Sequence, residues 1–157
     1  MPRVAVAAAL REVWLDFGLK FDDTADLATL FVDARQHHQE VLMTSEETRR
    51  FQFLPQVVDV FRGQMFADGR HRPSNISWTL SKAVASWYAA PVQAIDQPHG
   101  RVLSSQVKKE SVIALFLERG EQEVVINPRA FAGHLIRAER GTCDELPQSL
   151  TRSRQSA

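Results

Sequence analysis

A single cysteine, Cys143, leaves the chain without an internal disulfide, and a lone thiol suits a reducing compartment better than a secreted one, so a cytoplasmic location is expected. Its neighbour Asp144 disfavours a thiolate, so Cys143 is not read as a nucleophile. No stretch approaches the ~18 to 20 uninterrupted apolar residues that a bilayer crossing needs, and no membrane partner is expected. The apolar run Val4 to Leu10 is short, alanine-rich and followed at once by Arg11 and Glu12, and reads as the start of an amphipathic helix rather than a leader. An excess of one charge is also missing: nineteen Lys plus Arg meet nineteen Asp plus Glu, which excludes a histone-like polycation. Seven scattered glycines build no GxGxxG or GxxxxGK[ST] phosphate loop, and the GxSxG, HExxH and paired CxxC signatures are missing.

What remains is an ordinary globular composition, 44% hydrophobic and 24% charged over 157 residues. One domain over residues 1–142 is expected. Residues 143–157 form a polar tail with too few apolar side chains to offset the entropy of ordering, and are expected to be disordered.

Along the chain, Val6, Leu10, Val13, Trp14 and Phe17 fall at helical spacing and predict a helix ending near Gly18. Asp22, Asp23 and Thr24 supply cap and dipole chemistry for a second helix through Leu27, Leu30, Phe31, Ala34, His38, Val41 and Leu42. Thr44 and Glu47 make a T-x-x-E capping box for a third, with a face of Phe51, Leu54, Val57, Val58 and Phe61 and a kink or restart at Pro55. Gly63 to Ser74 reads as a loop. A fourth helix, capped by Ser74 or Asn75, is expected to bury Ile76, Leu80, Ala83, Val84 and Trp87 and to stop before Pro91.

Beyond Gly100 the pattern changes to three strands, Arg101 to Val107, Ser111 to Leu117 and Glu123 to Ile126, with a tight turn at Arg119-Gly120 and an antiparallel meander as the simplest pairing. Asn127 and Pro128 then announce a closing helix over Phe131, Leu135 and Ala138 that ends at Gly141. The expected fold is therefore α+β: an N-terminal layer of about four helices, a three-stranded antiparallel sheet and a C-terminal helix, with a winged-helix-like order. The middle strand is apolar on both faces, so the helical layer or a second copy in a homodimer should cover it.

Overall neutrality hides a division. Residues 1–60 carry a net charge of −4 and residues 61–157 carry +4, with seven cations against two anions between Arg62 and Lys109. Arg70, Arg72, Lys82, Arg101, Lys108 and Lys109 are thus candidate nucleic-acid contacts, able to neutralise phosphates. Trp78 and Tyr88 are candidate anchors for stacking or for a protein partner, and Arg129 and Arg137 offer a second contact surface. The competing reading is a solvated basic face with no partner; for Arg137, a cation in the last turn of a helix already satisfies the dipole.

His37 and His38 with Asp33 and Glu40 are the nearest approach to metal-ligand spacing, but a site of three or four ligands is not completed, and neither a metal nor a cofactor is expected. Glu118, Glu121 and Glu123 cluster at the hairpin turn, where acids are usually solvated. An enzyme is unsupported unless His37, His38, His71, His99 and His134 gather with carboxylates in a pocket. The expectation is a non-catalytic accessory or regulatory module that binds nucleic acid through its basic face, the alternative being a protein-protein adaptor or assembly subunit.

Overall fold

The computed structural model describes residues 3–17, 24–64, 76–89, 100–132 and 135–140. The segment 143–157, read from sequence as a disordered tail, lies outside them. Helices α1 (Arg3–Phe17) and α2 (Thr24–Leu42) form where helical spacing predicts. They pack through Leu10, Trp14, Leu27 and Phe31, with the Trp14 and Phe31 rings edge-on at 5.0 Å. Helical geometry breaks inside α2 at His38 (φ −146°, ψ 44°). Helix α3 (Ser45–Gln52) begins at the expected capping box: Thr44 Oγ1 accepts from Glu47 N, and Glu47 Oε2 accepts from Thr44 N. No described helix is long and apolar enough to cross a membrane.

The sheet departs from expectation. Among the described residues six antiparallel strands, not three, run in the order β4-β5-β2-β1-β3-β6. They are β1 (Val57–Gln64), β2 (Ser77–Thr79), β3 (Arg101–Lys108), β4 (Val112–Phe116), β5 (Glu123–Ile126) and β6 (Arg137–Arg140), with helix α4 (Lys82–Ala89) between β2 and β3. Three sequence readings fail for identifiable reasons.

The helical face drawn from Phe51 to Phe61 stops at Phe53, because Pro55 ends the helix. The β-branched residues beyond it then alternate, with Val58 and Val60 buried and Val57 and Asp59 exposed. Ser81 Oγ accepts from Val84 N at the start of α4, so the helix begins later than expected and Ser77 to Thr79 pair with β5. At the C-terminal end, Asn127 and Pro128 cap as predicted, but the helical turn lasts only from Pro128 to Phe131. Caps fix where a helix starts, not how long it runs. The free edge of β3 captures Arg137–Arg140 as a strand instead. With β1 and β2 between β3 and β5, neither the simple meander nor the winged-helix arrangement is present.

The two faces bury different partners. On one, Ile113, Phe116 and Val125 pack under α1 and α2, as the all-apolar β4 requires. On the other, Val58, Trp78, Leu103, Val107, Leu115 and Val124 form one cluster, closed by Leu54, Phe131 and Ile136. Strands from both halves of the order meet in that cluster.

The free edge of β4 is satisfied by side chains. Arg35 donates to Val112 O (2.9 Å), Met43 Sδ faces Leu115 N (3.4 Å), and Glu47 Oε1 accepts from Leu117 N (2.9 Å). Helices α2 and α3 thereby take the place of a neighbouring strand.

Candidate functional site: a cleft where β1 leaves β2

The residues singled out from sequence do not form one continuous face among the described residues. Arg70 and Arg72 lie outside the described residues, as do His71, His99 and His134. Arg101 and Lys108 occupy opposite ends of β3, roughly 23 Å apart at the usual rise of a strand. Lys82 Nζ pairs with Glu139 at 2.7 Å, Lys108 lies 3.9 Å from Glu110, and Lys109 donates to Gln52 O.

Lys82, Arg137, Asp59 and Glu139 share a polar groove of about 570 Å3 lined by charges of both signs. Arg129 sits exposed on the turn after Asn127. His37 stands 3.6 Å from Asp33, each about half exposed, and no metal-binding group of three ligands occurs among the described residues. Trp78 is enclosed, 2% exposed and stacked on Phe131 at 4.6 Å. Of the two aromatic anchors only Tyr88, at 42%, reaches the surface.

Tyr88 leads to a different site. Strand β1 pairs with β3 over all eight of its residues, but meets β2 only at Phe61 opposite Thr79. Past that point the ladder opens, and Arg62 extends its guanidinium across the gap to Ser77 O at 2.5 Å. Helix α4 closes one side of the opening by sitting directly on β1. Gly63 makes this approach feasible, since a Cβ there would stand 2.1 Å from Ala85 O.

The β4–β5 turn closes the other side. Arg119 (φ 64°) and Gln122 (φ 47°) both occupy the left-handed region, at a cost of order 1 kcal/mol or more each. Bonds from Thr79 Oγ1 to Glu121 O (2.6 Å) and from Leu80 N to Gln122 O (3.1 Å) hold the turn against β2. The Tyr88 hydroxyl donates to Glu121 Oε1 at 2.6 Å and ties it to α4. The result is a cleft of about 290 Å3, with apolar walls from Phe61, Trp78 and Val84 and with Arg62, Arg119, Glu121 and Glu123 among its polar groups.

The electrostatics are unusual for so small a space. Burial lowers the Arg62 pKa to about 10, opposed by the charge of Glu123, so the guanidinium stays cationic at neutral pH. Its Nε is buried and no described group accepts from it. Glu123 is pushed above the usual carboxylate range, first by burial and then by the charge of Glu121. A short bond from Ser77 Oγ (2.5 Å) and the charge of Arg119 act the other way without offsetting it. The buried Trp14 indole N–H lies beside Glu123, close enough to favour its charged form but without good hydrogen-bond geometry. The Tyr88 hydroxyl is raised by burial and by its bond to Glu121, so it remains a neutral donor.

For Glu123 the sign of its shift sets the linkage. A carboxyl whose folded pKa exceeds its unfolded one contributes stability below the unfolded value, and that contribution is lost as pH rises through the folded value. Glu123→Gln is therefore expected to gain stability relative to the parent as pH rises across that window. Urea denaturation at a series of pH values checks this, and a constant difference would show that Glu123 does not titrate abnormally.

Chain position alone groups Glu121 and Glu123 with the solvated turn acids. That suits Glu118, whose side chain is 55% exposed, but not these two. The available signal is register: Glu123 opens the run Val124-Val125-Ile126, and its cross-strand neighbours Phe116 and Thr79 are both buried. In the sequence Arg62 is only one cation among seven. Comparison with family models, with curated proteins and with solved structures gives no match, so the cleft is read from its own chemistry.

Proposed function

We propose that the protein is a binding domain whose ligand is a small polar molecule held in the cleft between β1 and β2. The observation that carries this is the cleft itself: about 290 Å3 of open space in which Arg62, Arg119, Glu121 and Glu123 meet apolar walls from Phe61, Trp78 and Val84. Ligand sites are ordinarily concave and mostly apolar with a few convergent polar groups. The strained turn that places Arg119 and Glu121 over the cleft supports the same reading.

A fragment library titrated into the 15N-labelled full chain tests it. Binding fragments are expected to shift the amides of Phe61, Gly63, Tyr88 and the 119–123 turn, and Arg62→Gln to weaken them about tenfold or more. Fragments that perturb only other surfaces, or none at all, would refute the proposal. The nucleic-acid reading makes a different prediction, an affinity for oligonucleotides that falls steeply with salt and depends on Arg70 and Arg72. The described cations outside the cleft lend it little, being spread along β3 and engaged with carboxylates or carbonyls at Lys82, Lys108 and Lys109.

A further inference from the structure

At the far end of β1 from the cleft, and independent of it, the chain exposes apolar surface that it does not fold away. Phe53 is 81% exposed and Val57 54%, and Pro55 between them is exposed as well, whereas Leu54 and Val58 turn inward to the cluster around Trp78. Four hydrogen bonds hold this projection in place: Phe53 N donates to Arg49 O (3.2 Å), Leu54 N to Phe51 O (3.2 Å), Lys109 N to Gln56 O (2.9 Å), and Lys109 Nζ to Gln52 O. We infer that the projection docks an acidic segment of a partner protein, one that also carries apolar side chains.

Charge sets the sign of the partner. Arg49 and Arg50 are exposed in the last turn of α3, and among the described residues neither has an ion-pair partner. Lys108, 74% exposed, stands across from Val57 at the end of β3. Residues 49–57 and 108–110 hold four cations against one anion, Glu110, and the next acid along β1, Asp59, accepts from Gln106 at 2.8 Å. Cations in a last helical turn suit the helix dipole, but that explains neither Lys108 nor the uncovered ring of Phe53. Aromatic and arginine side chains are what interface centres concentrate, and a site already fixed in place loses little freedom on binding. Other polyanions fit less well. Phe53, Pro55 and Val57 expose fewer carbons than a single myristoyl chain, which alone holds a membrane only marginally. A nucleic-acid strand asks for a run of cations along its backbone, and here Lys109 is engaged with Gln52 O.

Three short capped peptides separate the two requirements: one that interleaves glutamate with leucine, one with glutamine in place of each glutamate, and one with serine in place of each leucine. Titrated into the 15N-labelled full chain, the first is expected to shift the amides of Arg50, Phe53, Gln56, Val57 and Lys108, to leave those of Gly63 and Tyr88 unmoved, and to bind about tenfold or more tightly than either of the others. Phe53→Ser, at a position too exposed to support the fold, is expected to lower that affinity about tenfold. The double variant Arg49→Glu, Arg50→Glu should lower it as well and remove most of its salt dependence. Leu30→Ser, on an exposed apolar residue elsewhere, should change nothing.

The glutamine or the serine peptide binding as well as the first would overturn the inference, as would binding that survives Phe53→Ser or that shifts only other surfaces, or no binding at all. Vesicles of phosphatidylcholine and phosphatidylserine, or oligothymidylate, held more tightly than the acidic peptide and released by Phe53→Ser would also overturn it, in favour of a lipid surface or a nucleic acid. None of these results bears on the cleft, whose signals lie at the other end of β1.

Discussion

Replacing Glu47 by alanine is expected to destabilise the fold by about 3–5 kcal/mol, the usual cost of removing one partner from a buried charge pair. Glu47 is 1% exposed, yet its carboxylate accepts from four places: Arg11 through both terminal nitrogens (2.7 and 3.3 Å), Thr44 N (2.8 Å) and Leu117 N (2.9 Å). Arg11 also donates to Leu42 O and Glu118, and lies 5.4 Å from the centre of the Phe116 ring. One side chain thus joins α1, the α2–α3 corner and the end of β4. Its loss leaves two backbone donors unpaired and takes from Arg11 the more buried of its two carboxylate partners. The midpoint of urea denaturation measures the effect, and a loss under 1 kcal/mol would mean that water replaces the carboxylate freely.

Glu47 also predicts acid sensitivity. Burial alone would raise its pKa, but the hydrogen bonds from Arg11, Leu117 and Thr44 and the charge of Arg11 outweigh burial and lower it. A carboxyl depressed in the folded state contributes stability above its unfolded pKa, and that contribution is lost as pH falls through the folded value. Glu47→Gln, which keeps the shape, is expected to flatten this acid limb of the stability profile, which lies below the ordinary carboxyl pKa, whereas the effect of Glu123 lies above it.

Gly63→Ala is expected to cost about 3 kcal/mol, at the upper end of ordinary overpacking. The added methyl would meet Ala85 O at 2.1 Å, Tyr88 Cβ at 2.7 Å and Ala89 N at 2.8 Å, two of which are backbone atoms that cannot rotate away. Relief requires α4 to lift from β1, taking Tyr88 away from Glu121 and widening the cleft. Loss of stability should therefore be accompanied by loss of fragment binding. A variant that keeps both would show that α4 can shift at little cost, and that the cleft does not depend on its seat.

The N-terminal half of the fold is legible in the sequence because its signals are local. The capping box at Thr44 and the spacing of Leu10, Trp14, Leu27 and Phe31 need no distant partner to be read. The sheet is legible only in its later strands. Val57, Val58 and Phe61 fit a helical stripe and a strand equally well, and Pro55 is the arbiter. The turn at Asn127 carries genuine helix-start chemistry, but the conformation of Arg137–Arg140 is decided by the unpaired edge of β3, far back along the chain. The cleft is the least legible part. Arg62, Tyr88 and Glu123 come from three separate segments, and nothing in their own surroundings announces that a ladder opens between them.

That opening has a mechanical consequence. Among the described residues the sheet is a pair of three-stranded leaves, β4-β5-β2 carrying α1 and α2 and β1-β3-β6 carrying α4, whose backbones pair along the spine at Phe61 with Thr79 and whose side chains share the cluster around Trp78 and Leu103. Bending across the spine disturbs fewer backbone bonds than bending within either leaf. The guanidinium of Arg62 crosses from one leaf to the other, so the side chain that lines the cleft is also one that ties the two leaves together.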